Sequence, residues 1–290
     1  MDWRQFVMNL ESIDPDHIEA VLMENGAQSV TLTDAGDNPV LEPAPGETPL
    51  WANTRITALF DAHADFDALR AILLASLQLD ELPPNHIEDL ADRAWEREWL
   101  KDFGPMRFGT KLWVVPGESD VPPADSVVVK LDPGLAFGTG THPTTAMCLE
   151  WLDSIDLNGR SIFDFGCGSG ILSVAALKLG ASRAEAVDID LQAVAATRQN
   201  AERNDVGDRL VTNTEVPDRQ FDVVVANILA GTLIENTDLI CRHLKPGANL
   251  ALSGILVGQA ESVLDAFDDH IDFAAPITLN EWALLSGTRS

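Results

Sequence analysis

Between Ile162 and Asp190 the chain reads IFDFGCGSGILSVAALKLGASRAEAVDID, and these residue types could bind a nucleoside. Ile162 to Phe165 are a short apolar run, as expected of a buried strand. Gly166, Cys167, Gly168, Ser169 and Gly170 then make a turn that side chains would obstruct, and Ile171 to Leu179 read as a helix ended by Gly180. The chain returns through Ala184 to Ile189 as a second strand and presents Asp188 and Asp190 near its end. Such a unit offers backbone N–H groups at a helix start to an anion and a carboxylate to a ribose.

The glycine spacing narrows the ligand. Dinucleotide turns carry G-x-G-x-x-G, whereas Gly166, Gly168 and Gly170 are spaced G-x-G-x-G, with Ile171 where the third dinucleotide glycine would fall. No Gly-Lys-Ser/Thr occurs, so there is no P-loop either. The pattern resembles that of S-adenosylmethionine-dependent methyltransferases, which implies that Asp188 meets the ribose hydroxyls and the turn amides meet the methionyl carboxylate. Downstream, Asp222 to Val225 (DVVV) read as a buried strand running into Asn227. In an open α/β sheet, ligands sit beyond the carboxyl ends of the strands, so Asn227 is expected at the same crevice as Gly166 and Asp188. An amide followed by apolar residues resembles the Asn/Asp-Pro-Pro-aromatic motif of amino-group methyltransferases. The chemistry wants such a group: a lysine is almost wholly protonated at neutral pH, and an ammonium has no lone pair with which to attack a methyl. Carbonyls near an apolar, cationic centre can hold the neutral amine in line.

A second glycine-rich stretch, Leu131 to Thr145 (LDPGLAFGTGTHPTT), leads into a helix through Leu152 that Thr144 or Thr145 could cap. Phe137 supplies an aromatic that could lie against the cofactor. His142 reads as a loop or capping residue, since no second residue in the sequence orients it as a base. This stretch, with DFGCGSGIL, DID and VVANILAG, resembles the PrmA methyltransferases, the family that methylates the eleventh protein of the large ribosomal subunit. PGETPLW (Pro45 to Trp51), WEREWLKDF (Trp95 to Phe103), SGIL (Ser253 to Leu256) and EWALLSG (Glu281 to Gly287) extend the resemblance over essentially the whole chain. It implies a cofactor site that includes Thr145, Gly166, Asp188 and Asn227, and as targets lysine ε-amines and the N-terminal α-amine, each methylated repeatedly. The segment from Thr212 to Gln220 is a few residues shorter than is usual in the family.

Composition agrees. Three cysteines without C-x-x-C and six scattered histidines without H-E-x-x-H suggest neither a disulfide framework nor a metal site. The first residues, MDWRQFVMNL, carry no basic-then-apolar signal, and no apolar run reaches the roughly 18 residues of a membrane helix. The expectation is a cytoplasmic monomer. The formal charge is −27, and residues 1–98 hold twenty acids against five bases. So acidic a surface should repel nucleic acid, whose binding needs Lys and Arg. It suits a basic protein substrate, and adaptation to salt would produce it equally well.

The elements that must position these residues fall into two groups. Residues 3–10 read as a strand, Asp14 to Gly26 as a helix with Pro15 at its first position, Ala27 to Thr33 and Thr54 to Phe60 as strands, Asp65 to Leu77 as a helix, and His86 to Ala91 as a last strand. That order, βαββαβ, is a ferredoxin-like split βαβ unit, with residues 34–50 as a long loop. It holds no nucleophile or glycine turn, so recognition is its expected role. Trp95, Trp99 and Phe103 share one helical stripe, expected to pack. The fold expected is α/β: a ferredoxin-like domain over 1–92, a linker helix region over 93–111, and a Rossmann-like class I methyltransferase domain over 112–290. The rival readings are a same-fold enzyme acting on a small amine, a non-catalytic S-adenosylmethionine-binding module, and an NAD oxidoreductase, which the absent third glycine disfavours.

Overall fold

The computed structural model describes residues 3–36, 51, 53–90, 104–116, 123, 125–131 and 140–290. The chain divides into two compact units, Met1–Glu98 and Trp99–Ser290. In the first, β1 (Trp3–Asn9), α1 (Pro15–Glu24), β2 (Ser29–Asp34), β3 (Thr54–Asp61), α2 (Phe66–Leu77) and β4 (Asn85–Leu90) build an antiparallel sheet of order β2-β3-β1-β4. The Asp14 carboxylate accepts from Asp16 N–H to start α1, and that of Asp65 accepts from Asp67 and Ala68 N–H to start α2. Along β3 every second residue is buried, so Ile56, Ala58 and Phe60 meet Ile18 and Leu22 of α1 and Leu69 and Leu73 of α2 in one core.

The second unit opens with β5 (Met106–Phe108), β6 (Leu112–Pro116) and β7 (Val127–Leu131), a small sheet in which β6 pairs antiparallel with β5 and parallel with β7. Residues 106–108, read from sequence as part of a linker, are therefore a strand of this unit. Phe108 is buried there with Leu112 and Val114, an apolar gain that a solvated linker would forgo. The stripe of Trp95, Trp99 and Phe103 lies outside the described residues.

There follow α3 (Pro143–Ser154), β8 (Ser161–Phe165), α4 (Ile171–Lys178), β9 (Arg183–Val187), α5 (Leu191–Arg203), β10 (Leu210–Asn213), β11 (Phe221–Asn227), α6 (Ala230–Glu235), α7 (Thr237–Arg242), β12 (Leu244–Leu256), α8 (Ala260–Phe267), β13 (Ile271–Phe273), β14 (Ile277–Leu279) and β15 (Trp282–Arg289). The main sheet runs β10-β9-β8-β11-β12-β15-β13, parallel through β12, with β15 antiparallel between β12 and β13. Both faces are covered, which is why β11 is apolar without a break from Val223 to Ala226. Val223 and Val225 face the core shared with α3 and α4, while Val224 and Ala226 face the core shared with α6 to α8. Among the described residues no helix is long and apolar enough to cross a membrane.

At the amino ends of the central strands, Asp222 accepts from Ser161 N–H (2.9 Å), Ser161 Oγ (2.6 Å) and Lys245 Nζ (2.7 Å). One carboxylate thus joins β8, β11 and β12, the strands whose far ends carry the glycine turn, Asn227 and Gly254. Burial alone would raise this carboxyl, but Lys245 and Ser161 outweigh it and hold it at about 2. A depressed carboxyl stabilises the fold above the ordinary carboxylate range and loses that contribution as pH falls toward about 2. Because Lys245 is substantially exposed, the pair is screened and contributes about 1 kcal/mol. Asp222→Asn should lower the melting temperature by a few degrees near neutrality, and the gap should close as pH is lowered from 4 toward 2.

Candidate active site

The turn between β8 and α4 is held in the left-handed region at Gly166 (φ 78°), Gly168 (φ 53°) and Gly170 (φ 73°). A Cβ at Gly166 would run into a methyl of Ile228, and one at Gly170 would meet the Thr197 side chain. The bare backbone is required by space as well as by φ. Val187 O accepts from both Gly166 N–H (2.9 Å) and Cys167 N–H (3.0 Å), docking the turn on the end of β9. From α5, Thr197 Oγ1 donates to Gly168 O (3.0 Å) and Asn200 Nδ2 to Ser169 O (2.9 Å).

Asp188 faces this turn across the strand ends. Its Oδ2 accepts from Gly168 N–H (2.9 Å) and its Oδ1 from Asp190 N–H (3.0 Å). A carboxylate offers about four lone-pair sites, so two remain for hydroxyl donors of a bound sugar. Asp190 turns the other way, and its carboxylate caps α5 at Gln192 N–H.

Asn227 ends β11, where its register partner is Ser253 of β12. Its Nδ2 donates to Thr145 Oγ1 at 3.3 Å, leaving the carbonyl oxygen as the amide's acceptor. Thr145 is almost fully buried and stands behind Asn227. The helix that carries it starts one turn earlier than a threonine cap would place it. His142 is the cap, taking Thr144 N–H on its Nδ1, because Pro143 occupies the first helical position, where its missing N–H costs nothing. Burial lowers the pKa of His142, partly offset by Glu281, in keeping with a neutral ring that accepts at Nδ1.

These groups surround one cavity of about 570 Å³, lined among others by Gly166, Asp188, Asn227, His142, Gly254 and Trp282. Of the residues singled out in the sequence, Gly166, Asp188, Asn227, His142 and Thr144 reach its wall. Thr145, Gly168 and Gly170 act one layer behind, through Asn227, Asp188 and the start of α4. Phe137 lies outside the described residues. The volume suits a drug-sized ligand. Val187, Ile189, Val216 and Leu229 add an apolar surface on which a base can lie. Donor set, bare glycine cradle and volume all fit an adenosyl cofactor.

Sequence reading missed several contributors. Gly254 (φ 82°) lies within a register shift between β12 and β15, and a Cβ there would strike the Ile228 backbone. Ser253 donates from Oγ to Thr144 O at 3.2 Å, tying β12 to the first turn of α3. Trp282 stands edge-on to His142 with ring centroids 5.0 Å apart. Asp164 carried a signal, being a charge inside an otherwise apolar strand. Its Oδ2 accepts from Ser173 N–H (3.1 Å) and Oγ (2.8 Å), while Oδ1 is buried without a partner. Burial raises this carboxyl to about 6 despite the Ser173 donors.

A parallel sheet of this order, with a glycine turn, a strand-end acid and an amide around one crevice, defines an S-adenosylmethionine-dependent methyltransferase of the Rossmann-like class. Residues 2–290 match the family model described as Ribosomal protein L11 methyltransferase (PrmA), and the chain belongs to that family. It is 50% identical over 292 residues to the Ribosomal protein L11 methyltransferase of Photorhabdus laumondii, covering 100% of this chain and 99% of the relative. It is 49% identical over 293 residues to that of Escherichia coli O81, with both chains fully covered. Among solved structures, the ribosomal protein L11 methylase of Lactobacillus delbrueckii subsp. bulgaricus aligns with TM-score 0.60 and 29% identity, over 65% of this chain and 100% of that one.

Two outcomes follow. Gly166→Ala should reduce S-adenosylhomocysteine affinity by at least about tenfold in calorimetry, since the added methyl must displace Ile228 from the cavity wall. For Asp164, a carboxyl raised in the folded state contributes stability that is fully present below the ordinary carboxylate range and lost as pH rises through about 6. The permanently neutral Asp164→Asn should therefore gain in melting temperature relative to the parent as pH rises from about 4 to about 6, and hold that gain above it.

Proposed function

We propose that the chain transfers methyl groups from S-adenosylmethionine to amines of ribosomal protein L11, namely lysine ε-amines and the N-terminal α-amine, with repeated transfers at each. The observation that carries this reading is the meeting of Gly166, Asp188 and Asn227 on one cavity. When bound, S-adenosylmethionine supplies a sulfonium-activated methyl. The protein's part is positional. The turn amides at the start of α4 are placed for the methionyl carboxylate, and the free acceptor sites of Asp188 for the ribose hydroxyls. Asn227 Oδ1 accepts an N–H of the incoming amine, and its own Nδ2 is held by Thr145, so the acceptor is fixed before the substrate arrives. An ammonium entering so apolar a cavity is desolvated, which favours the neutral, nucleophilic amine.

The amino-terminal unit is read as a ferredoxin-like recognition domain over 1–92. Its β-α-β-β-α-β order and β2-β3-β1-β4 sheet support this, as does a surplus of acids suited to a lysine-bearing partner. The same charge speaks against direct nucleic acid binding. A cytoplasmic monomer acting on a ribosomal protein completes the proposal. Glycine spacing G-x-G-x-G sets it against a dinucleotide enzyme.

The test is incubation of the purified chain with labelled S-adenosylmethionine and ribosomal proteins from cells lacking the gene, followed by mass spectrometry. Label on L11 nitrogen is expected; label only on other proteins or on small amines would overturn the substrate, and cofactor binding without label would overturn catalysis. Asp188→Ala should weaken cofactor binding at least about tenfold, through lost charge-assisted bonds. Asn227→Ala should cut turnover by about 10²-fold or more, the scale of a misplaced reactant.

A further inference from the structure

The segment between β10 and β11 forms one wall of the cavity through Thr214 and Val216. Directly behind it lies His243, which caps the carboxyl end of α7 and is almost fully buried. One ring nitrogen, Nδ1, is 2.6 Å from Leu239 O, and the other, Nε2, is 2.6 Å from Pro217 O. Both partners are backbone carbonyls, which only accept. A neutral imidazole has one N–H and one lone pair, so it would set a lone pair against a carbonyl oxygen at one of these contacts. Two bonds to two carbonyls require two N–H donors, and therefore the doubly protonated ring.

The surroundings accommodate that charge. The carbonyl end of a helix attracts a cation, and the Phe163 ring lies with its centroid 5.1 Å from that of His243. The ionisable groups on the neighbouring elements are Glu215, Asp218 and Arg219 on the connection, Asp222 on β11, Asp238 and Arg242 on α7, Lys245 on β12 and Arg289 on β15. The main chain adds a further tie, Phe221 N–H to His243 O at 2.7 Å. Pro217 adjoins the lining residue Val216, so the Nε2 bond fixes the wall from behind.

We propose that His243, protonated on both ring nitrogens, is a positioning residue that holds the Thr214–Val216 wall of the cofactor cavity through the Pro217 carbonyl. The inference rests on the cavity being the S-adenosylmethionine site.

Two measurements decide it. Nitrogen-15 NMR of the histidine rings near neutral pH, with the His243 signal assigned by its absence in His243→Asn, should show two N–H nitrogens. One lone-pair nitrogen would overturn the proposal. S-adenosylhomocysteine affinity is then measured by calorimetry on the full chain and two variants. The shorter His243→Asn reaches only Leu239 O and should bind about fivefold to tenfold more weakly, the weight of one hydrogen bond. His243→Gln reaches Pro217 O and should stay within about twofold of the parent, although both variants lose melting temperature. Equal effects in the two, or none, would mean a purely structural role. Should either variant fail to fold, the parent's nitrogen-15 spectrum decides: Nε2 should carry a hydrogen shared with the Pro217 carbonyl, and a lone pair on Nε2 would contradict the proposal. A parent that binds no S-adenosylhomocysteine would overturn the cofactor reading and this inference with it, whereas a neutral ring in a binding-competent parent would overturn the role of His243 alone.

Discussion

Gly168 N–H donates to the Asp188 carboxylate while Val187 O takes the N–H groups of Gly166 and Cys167, and on this pair of contacts the site depends. They clamp the turn after β8 to the end of β9, so the turn and the acid are set in one rigid piece. The clamp demands three left-handed residues in five, which only glycine supplies without strain. It also demands that β8 and β9 be adjacent and parallel, a condition met by the sheet order. The helices on both faces then bury every remaining apolar side of those strands.

The second requirement is that an amide stand opposite this clamp. Asn227 arrives there because β11 lies beside β8 and ends at the same edge. Its orientation comes from elsewhere: Thr145 on α3 takes its Nδ2, and Ser253 on β12 fixes the first turn of α3. Three elements distant in sequence thus determine which way one side chain points. Gly254 beside Ser253 makes room for the Ile228 backbone, so the end of β12 serves both the amide and the cavity floor.

What could be read from sequence and what could not divide along the same line. Gly166, Gly168, Gly170 and Asp188 are legible because a strand, turn, helix and strand in succession fix their relations locally. Asn227 is legible because an apolar run names the strand end. The strands and helices of the amino-terminal unit fall within a residue or two of their expected bounds for the same reason, with alternation in β3 and Asp caps on α1 and α2. Ser253, Gly254, Trp282 and Thr197 are invisible locally, since their roles exist only after sheet closure. The reading of His142 as a loop or capping residue holds, whereas a Thr144 or Thr145 cap does not, because Pro143 at the first helical position points to the residue before it. The strand at 106–108 escaped because its pairing partner lies beyond a turn at Gly109 whose fit depends on Asp153, far along the chain.

The central claim is that one cavity holds the cofactor by its ribose on Asp188 and presents its methyl side to Asn227. A crystal structure of the full chain with S-adenosylhomocysteine tests it most directly. The account predicts both ribose hydroxyls within hydrogen-bond distance of the Asp188 carboxylate, the homocysteine carboxylate at the amino end of α4, and the sulfur facing Asn227. Electron density for the cofactor outside this cavity, or a ribose that ignores Asp188, would contradict it.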